Sequence, residues 1–414
     1  MREAVIVSAV RTAVGRAPRG ALRETSPEDL AIAAVREAVA RATGLDAAEV
    51  EDLVLGCAMP EGAQGLNVAR PVALGAGLPV STSAMTVNRF CASGLQALAI
   101  ASQAVATGSA EVVVAGGLES MSSVPMTGWH FAPNPGLAGR WPEVFLNMGL
   151  TAEEVARREQ VGRDDQDAWA LRSHRRAVAA IDEGRFRSEI VPVVVERTLV
   201  EDGRPRLERA TFDTDEGPRR DTDAARLASL APAFAVGGTV TAGNSSQMSD
   251  GAAAMVVMTG DRAAQLGLRP LGRLVAYATA GVAPEVMGLG PIEAVPKALA
   301  RAGLSLGDLA VIELNEAFAA QVVAVVRRLG LDEERTNPNG GAIALGHPLG
   351  ATGAKLAVQL LSELAARGAR YGLVTMCVGG GQGAAGIIEW LGGRQPNGAA
   401  PAAAARANAK EGER

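Results

Sequence analysis

Residues 34–56, AVREAVARATGLDAAEVEDLVLG, and residues 294–315, AVPKALARAGLSLGDLAVIELN, follow one pattern when Gly44 is placed on Gly303, an offset of 259 residues. Each stretch is typical of an alanine-rich helix that ends at a glycine and leads into an apolar strand. One such match could arise by chance. The pattern nevertheless indicates helix and strand units at both ends of the chain.

A second match has the same offset of 259 residues and places Ala92-Ser93-Gly94 on Ala351-Thr352-Gly353. Each tripeptide opens a predicted helix that runs to a glycine and then to a valine-containing strand. Two independent matches at one offset predict an internal duplication. Because valine-rich runs alternate with helical patterns, as in the first strand AVIVSAV and the helix capped by Ser26, we expect an α/β fold. Its two similar βα halves should pack in layers about a pseudo-twofold axis.

The predicted domain boundaries follow from the repeat and from a change in composition. We expect the N-terminal half to comprise residues 1–118 plus about 251–270, and the C-terminal half residues 271–392. Residues 119–250 are richer in Pro, Trp, Arg and Asp and are predicted to form an inserted loop region, a common place for substrate specificity. The low-complexity residues 393–414 are predicted to be a disordered tail.

Length, charge and cysteine content exclude several classes of protein. A chain of 414 residues is long enough for two or three domain-sized units. A net charge of -5 and a pI near 5.5 argue against a nucleic-acid partner or an anionic membrane surface. Three separated cysteines do not form a disulfide framework or a structural metal site, and no long apolar run predicts membrane insertion. We therefore expect a cytoplasmic protein.

Three segments combine reactive side chains with small residues: VNRFCASGLQAL around Cys91, NGGAIALGHPLGATGAK around His347, and VTMCVGGGQGAAG around Cys377. A cysteine before a helix N-terminus is a candidate nucleophile, and a histidine is the usual base for it. A hydrolase would not need a second thiol, so Cys377 indicates carbon–carbon chemistry. The non-catalytic alternatives are that Cys91 and Cys377 are buried apolar side chains and that His347 is a structural imidazole. Cys57 lacks these features and is predicted to be core, whereas His174 is predicted to lie on a solvated helix face.

Together with Asn315 in ELNEAFAA, these segments closely resemble the thiolase family over nearly the whole chain. The resemblance implies a duplicated thiolase-like fold in which Cys91 carries the acyl group, His347 is the base and Cys377 transfers the proton of the carbon acid. It implies that Asn315 positions a water for the enolate oxygen, although this side chain could also simply cap the next helix. The amides of Cys91 and Gly379 are implied to form an oxyanion hole.

The same resemblance implies contacts with coenzyme A, which is expected as a substrate with no prosthetic group and no metal. The segment FAVGGTVTAGNSSQMSDGAAA resembles the family's pantetheine and adenine loop. Within this segment the match points to Phe234, Ala242 and Ser246. The resemblance further implies coenzyme A contacts from Met148 and Phe318, and from Arg219 as the cation for the nucleotide phosphates, with Arg220 as the alternative. A solvated charge pair is the competing interpretation for the two arginines.

The resemblance implies thiolytic cleavage of 3-ketoacyl-CoA to acetyl-CoA and a shortened acyl-CoA. Relatives that make acetoacetyl-CoA have a histidine before the methionine of MGLTAE, where this chain has Asn147, so we expect the 3-ketoacyl branch. The alternatives are an acetyl-CoA acetyltransferase, a condensing enzyme of fatty-acid synthesis, a noncatalytic CoA- or lipid-binding relative and a thiol redox sensor. We expect a homodimer or homotetramer, with a possible β-oxidation partner enzyme.

Overall fold

The computed structural model of the protein describes residues 2–201 and 204–393. The strands are β1 (Ala4–Thr12), β2 (Gly15–Arg16), β3 (Asp52–Gly56), β4 (Ser83–Val87), β5 (Val112–Ser120), β6 (Ile190–Val191), β7 (Val193–Glu201), β8 (Arg204–Phe212), β9 (Ser249–Thr259), β10 (Gly272–Gly281), β11 (Leu309–Leu314), β12 (Tyr371–Val378) and β13 (Gln382–Trp390). The helices are α1 (Pro27–Arg41), α2 (Ala69–Gly75), α3 (Ser93–Thr107), α4 (Pro135–Arg140), α5 (Met148–Arg158), α6 (Arg163–Asp182), α7 (Ala224–Ala228), α8 (Gly260–Gln265), α9 (Gly290–Ala302), α10 (Ala319–Leu329), α11 (Ala342–Leu345) and α12 (Leu349–Arg367).

The strands form two half-sheets of the same design. The first half has the order β4-β3-β5-β9-β1, and the second has the order β11-β12-β13-β10. In each half one helix-linked pair is parallel, β3 with β5 and β11 with β12. In the first half β4 also pairs with β3 in parallel, and the remaining neighbours in both halves are antiparallel. The halves meet where β1 pairs with β10 at Ile6 and Gly272. The repeated order confirms the predicted α/β fold with two similar halves.

Helices α3 and α12 lie between the two half-sheets and cross at a pair of glycines. A Cβ atom at Gly94 would lie 2.6 Å from the backbone nitrogen of Ala354, and one at Gly353 would lie 2.4 Å from the backbone nitrogen of Leu95. The two contacts are the same contact under the offset of 259 residues, as a pseudo-twofold axis requires. Helices α1 and α2 cover the outer face of the first half, and α9 and α10 cover that of the second.

The apolar composition of α3 follows from this central position. Among the described residues, one stretch, Phe90–Thr107, is long and apolar enough to cross a membrane, with a mean hydropathy of 1.3. In the fold, its residues pack against α12 and against strands of the inner sheet faces. A helix that is buried on most sides has the same composition as a membrane span.

A buried ion cluster fastens the region after α6 to the first strand. The Arg11 guanidinium donates from Nε to Glu189 Oε1 at 2.7 Å, and from Nη1 and Nη2 to the carboxylate of Asp215 at 2.8 Å each. All three side chains are buried. The exact division of the chain into halves and an inserted region stays a prediction, and the predicted tail lies, from residue 394 onward, outside the described residues.

The prediction that His174 lies on a solvated helix face is wrong. Its exposed fraction is 4% because α6 packs against α10 and α11. The backbone N–H of Arg219 donates to His174 Nδ1 at 3.1 Å. Burial, followed by the charge of Arg219, lowers the pKa of His174 to about 4. This imidazole is therefore a neutral acceptor inside the fold.

Candidate active site

A tight turn before α3 presents Cys91. Asn88 Oδ1 accepts from the N–H of Phe90 at 2.8 Å, and Ser93 Oγ accepts from the N–H of Arg89 at 2.8 Å while donating to the carbonyl of Phe90 at 2.7 Å. These bonds hold Phe90 at a φ of 41°, which is strained for a residue other than glycine. The turn fixes Cys91, which is partly exposed, at the entrance of the helix.

Two backbone amides point at the Cys91 sulfur. Burial raises the pKa of Cys91 to about 12, and the nearby Glu119 charge adds to this, whereas the N–H groups of Gly379 and of Cys91 itself favour the thiolate. Gly379 follows β12 and is succeeded by Gly380 and Gly381, whose φ angles of 76° and 86° turn the chain from β12 into β13. The structure therefore brings together the two amides that were predicted to form an oxyanion hole.

The ring of His347 is held in one tautomer. Thr352 Oγ1 donates to the Pro348 carbonyl at 2.9 Å, so at 2.6 Å from His347 Nδ1 it can only accept, and the proton lies on Nδ1. Nε2 then carries the lone pair, and Asn315 Nδ2 lies 3.3 Å from it. The resulting imidazole presents a proton acceptor towards the site.

The neutral form of His347 is strongly favoured. Burial, followed by the positive charge of Lys355, lowers the pKa of His347 to about 3. Burial raises that of Cys91, as described above, so the resting pair consists of a thiol and a neutral imidazole. Transfer of the thiol proton therefore has to be driven by stabilisation of the product of attack.

Asn315 does not cap a helix. Helix α10 begins four residues later, at Ala319, with Phe318 as its N-cap residue. The backbone N–H of Asn315 donates to the Thr375 carbonyl at 2.9 Å, which fastens the residue to β12. Its Oδ1 is buried and has no hydrogen-bond partner among the described residues. Such an atom is available to a water or to a substrate group.

Cys377 lies close to Cys91 at the end of β12. It is fully buried, and burial, followed by the charge that Cys91 would carry, raises the pKa of the Cys377 thiol. The two thiols are close enough for ionisation of one to oppose ionisation of the other. Cys57 is also fully buried and packs in the core of the first half, as predicted.

The predicted coenzyme A contacts fall into two groups. Phe234 and Phe318 pack edge to face with ring centroids 6.0 Å apart, and Met148 packs in the same small cluster as Phe318. Ser246 is tied to this group because its N–H donates to the Ala317 carbonyl at 2.9 Å.

The remaining predicted contacts, Ala242 and Arg219, are exposed and make no described contact with that cluster. The alternative cation, Arg220, forms an exposed ion pair with Asp182.

Several side chains of the site were not predicted from the sequence. Thr352 fixes the tautomer of His347, and Ser249 Oγ accepts from the N–H of His347 at 3.0 Å. The buried Glu119 accepts from Ala58 and Gly350 at 2.8 Å each and so ties α12 to the loop after β3. The only sequence signal among these was the alignment of Thr352 with Ser93.

Comparison with known proteins explains this arrangement. The thiolase N-terminal domain matches residues 4–261, and the thiolase C-terminal domain matches residues 268–390. The chain belongs to the thiolase family. It is therefore an acyltransferase, and the predicted resemblance is confirmed.

Relatives with two functional names resemble this thiolase. It is 53% identical to a 3-ketoacyl-CoA thiolase of Bacillus subtilis over 94% of this chain and 100% of the relative. It is 47% identical to an acetyl-CoA acetyltransferase of Pseudomonas aeruginosa, over 93% and 98% of the two chains. The crystal structure of the Bacillus anthracis acetyl-CoA acetyltransferase matches with a TM-score of 0.86 and 41% identity, over 94% and 99%.

Proposed function

We propose that this thiolase cleaves 3-ketoacyl-CoA with coenzyme A, giving acetyl-CoA and an acyl-CoA shortened by two carbons. The observation that carries the proposal is the approach of two thiols to the helix end that holds His347: Cys91 packs with the Leu349 cluster, and Cys377 lies on β12, to which Asn315, 3.3 Å from His347 Nε2, is bonded. One thiol can hold the acyl group while the other handles the proton of the carbon acid. The name of the Bacillus subtilis relative supports the same reaction.

The first half-reaction breaks the carbon–carbon bond. His347 Nε2 accepts the Cys91 proton, the thiolate attacks the 3-keto carbon, and the amides of Cys91 and Gly379 stabilise the oxyanion. Collapse breaks the bond between C2 and C3 and leaves its electron pair on the enolate of acetyl-CoA. The His347 imidazolium and a water positioned by Asn315 donate to the enolate oxygen, and Cys377 donates its proton to C2.

The second half-reaction releases the shortened chain. Incoming coenzyme A gives its thiol proton to the Cys377 thiolate and attacks the thioester on Cys91. The Cys91 sulfur leaves and recovers its proton from the His347 imidazolium. Both groups return to their resting protonation states, so the cycle needs no external base. In reverse, Cys377 removes a proton from acetyl-CoA and the same groups perform a Claisen condensation.

The chain-length branch is part of the proposal. Asn147 is exposed and caps α5, its Oδ1 accepting from Gly149 at 2.9 Å, where the acetoacetyl-CoA-forming pattern has histidine. This difference supports substrates longer than acetoacetyl-CoA. Acetyl-CoA acetyltransferase is the second candidate, because the Pseudomonas aeruginosa and Bacillus anthracis relatives carry that name. The proposal also includes that the enzyme is cytoplasmic, acts in β-oxidation and forms a homodimer or homotetramer. Composition and family resemblance support these points.

Two measurements test the proposal. Incubation with acetyl-CoA and peptide mass mapping should place the acetyl group on Cys91, and an adduct on Cys57 or Cys377 instead would reject the assignment. Thiolysis of 3-ketooctanoyl-CoA should be at least as efficient as that of acetoacetyl-CoA, because each buried methylene contributes about 0.8 kcal/mol. Strong preference for acetoacetyl-CoA would return the enzyme to the acetyltransferase branch.

A further inference from the structure

The two thiols of the site face two separate apolar clusters. Cys377 packs with a group that includes Met287, Phe318 and Met148, here called the Cys377-side cluster. Cys91 belongs to another group, here called the Cys91-side cluster. Its members are the buried Ala58, Met121 and Leu349 and the half-buried Ala17, Met59, Cys91 and Met126. Neither cluster is part of the three large cores of the fold.

The proposed chemistry assigns different parts of the substrate to these clusters. Cys377 acts on C2, so the acetyl-CoA portion lies on its side. Cys91 is bonded to C3, and every further carbon of the acyl chain extends from that atom. The chain therefore has to leave along the surface that packs against Cys91.

The composition of the Cys91-side cluster suits a chain of variable length. Three of its seven members are methionines, whose unbranched thioethers adapt to different shapes. Met121 is fixed, because the N–H of Ser249 lies 3.3 Å from its sulfur. Met59 and Met126 are only half-buried, so they can move outward without opening a cavity in a core.

The segments that follow the two half-buried methionines are joined to each other. The backbone N–H of Trp129 donates to Glu61 Oε2 at 2.6 Å, which ties the segment after Met126 to the segment after Met59. A Cβ atom at Gly62 would lie 3.1 Å from Trp129 Nε1. The Trp129 side chain is 66% exposed. The indole of Trp129 thus lies at the surface, beside the segment that follows Met59.

We propose that Met59, Met121 and Met126 form the acyl-chain subsite of this enzyme and determine its chain-length range. The inference rests on the proposed function and assigns residues to it. Met59 and Met126 set the length limit because they are the adjustable members. Met121 forms the fixed floor next to the thioester.

The test compares chain lengths within each variant. Met126→Trp and Met59→Trp narrow the subsite, and each should lower the ratio of kcat/KM for 3-ketooctanoyl-CoA to that for acetoacetyl-CoA at least tenfold. Each buried methylene contributes about 0.8 kcal/mol, or about fourfold in kcat/KM, so a tenfold change corresponds to the loss of about two methylene contacts. Met126→Ala should raise the ratio for 3-ketododecanoyl-CoA. Because each ratio is internal to one preparation, partial misfolding cancels.

A matched methionine provides the control. Met287→Ala alters the Cys377-side cluster and should lower the efficiency for all chain lengths by a similar factor. Mass spectrometry of Cys91 after incubation with octanoyl-CoA gives a second readout that involves no carbon–carbon cleavage. The fraction of Cys91 that carries the octanoyl group should fall in the two tryptophan variants.

The outcomes separate the inference from the proposed function. If wild type cleaves 3-ketooctanoyl-CoA but both tryptophan variants shift the ratio no more than Met287→Ala, the subsite is wrong and the function stands. If wild type accepts only acetoacetyl-CoA, the proposed chain-length range is wrong. The subsite then requires Met59→Ala or Met126→Ala to admit the longer substrate, and failure of both overturns it.

Discussion

The N-termini of α3 and α12 are equivalent ends of a duplicated unit, yet each carries a different reacting group. The first has Cys91 where the second has Gly350, and the second has His347 where the first has Asn88. Asn88 serves only the backbone: it accepts from Phe90 and donates to the Ala58 carbonyl at 2.9 Å. At the α3 end the reacting residue is Cys91 and Asn88 is structural, whereas at the α12 end the reacting residue is His347 and Gly350 is structural.

The hydroxyls at the two ends show the same division. Ser93 bonds only to backbone atoms of its own turn, whereas Thr352 bonds to the ring of His347. Cys377 extends the asymmetry, since the equivalent position of the first half is Leu118. The duplication thus supplied two helix ends that meet at one place, and later divergence supplied complementary groups.

The strongest test of this division changes Cys377 to Ala, which makes its position apolar as in the first half. We expect the rate of carbon–carbon bond formation to fall by about 10²- to 10⁴-fold, which is the contribution of general acid–base catalysis of this kind. Acylation of Cys91 by acetyl-CoA should change far less. Both half-reactions are measured on the same preparation. Cys57→Ala is the matched control, and equal loss in the two half-reactions would reject the assignment of Cys377 to the carbon acid.

The symmetric crossing can be broken with a single methyl group. Gly94→Ala and Gly353→Ala each place a Cβ within 2.6 Å of a backbone nitrogen on the other helix. We expect each to lower the free energy of unfolding by about 1–3 kcal/mol. The double variant should lose less than the sum, because one displacement relieves both contacts. Gly139→Ala, which meets no atom within 4 Å and lies within α4, should not lower stability and should raise it by up to about 1 kcal/mol. Additive losses would show that the contacts are independent.

The sequence predicted the duplication and the chemical groups better than it predicted their supports. Cys91, His347 and Cys377 stood out because small residues surround them in the chain. The tautomer of His347 depends on a hydroxyl and a carbonyl whose geometry only the folded helix end defines. The Cys91-side cluster joins residues from five separate segments, which no local pattern connects. His174 was misplaced because arginines flank it, although α6 buries that face.

Thr352→Val tests the support of His347. Without the hydroxyl, Nδ1 loses its hydrogen-bond acceptor and the lone pair is no longer confined to Nε2. We expect kcat for both half-reactions to fall about tenfold or more, with KM for the substrate little changed. Thr352→Ser keeps the acceptor and should restore most of kcat. A serine variant as slow as the valine variant would indicate that the methyl group, and not the hydrogen bond, is what matters.

The smallest expected effect separates the catalytic histidine from a merely buried one. Both His347 and His174 have a lowered pKa, so that shift alone does not mark catalysis. Below pH 6.5 the unfolded chain binds a proton on His174, whereas the folded chain binds it only near pH 4. The free energy of unfolding therefore decreases as the pH is lowered from 6.5 to about 4. We expect His174→Asn to reduce the loss of unfolding free energy between pH 8 and pH 5.5 by about 1 kcal/mol.

Denaturant unfolding at the two pH values measures this difference, and turnover at pH 8 should stay within about threefold of wild type, because a neutral asparagine can still accept from the Arg219 amide. His130→Asn, at an exposed position, is the control for replacing an imidazole by an asparagine. If His174→Asn lost as much turnover as a variant that lacks His347, His174 would belong to the catalytic residues. An unchanged pH dependence in His174→Asn would mean that His174 has the same pKa in the folded protein as in the unfolded chain, so that at pH 5.5 the imidazole is protonated and its bond from the Arg219 amide is absent.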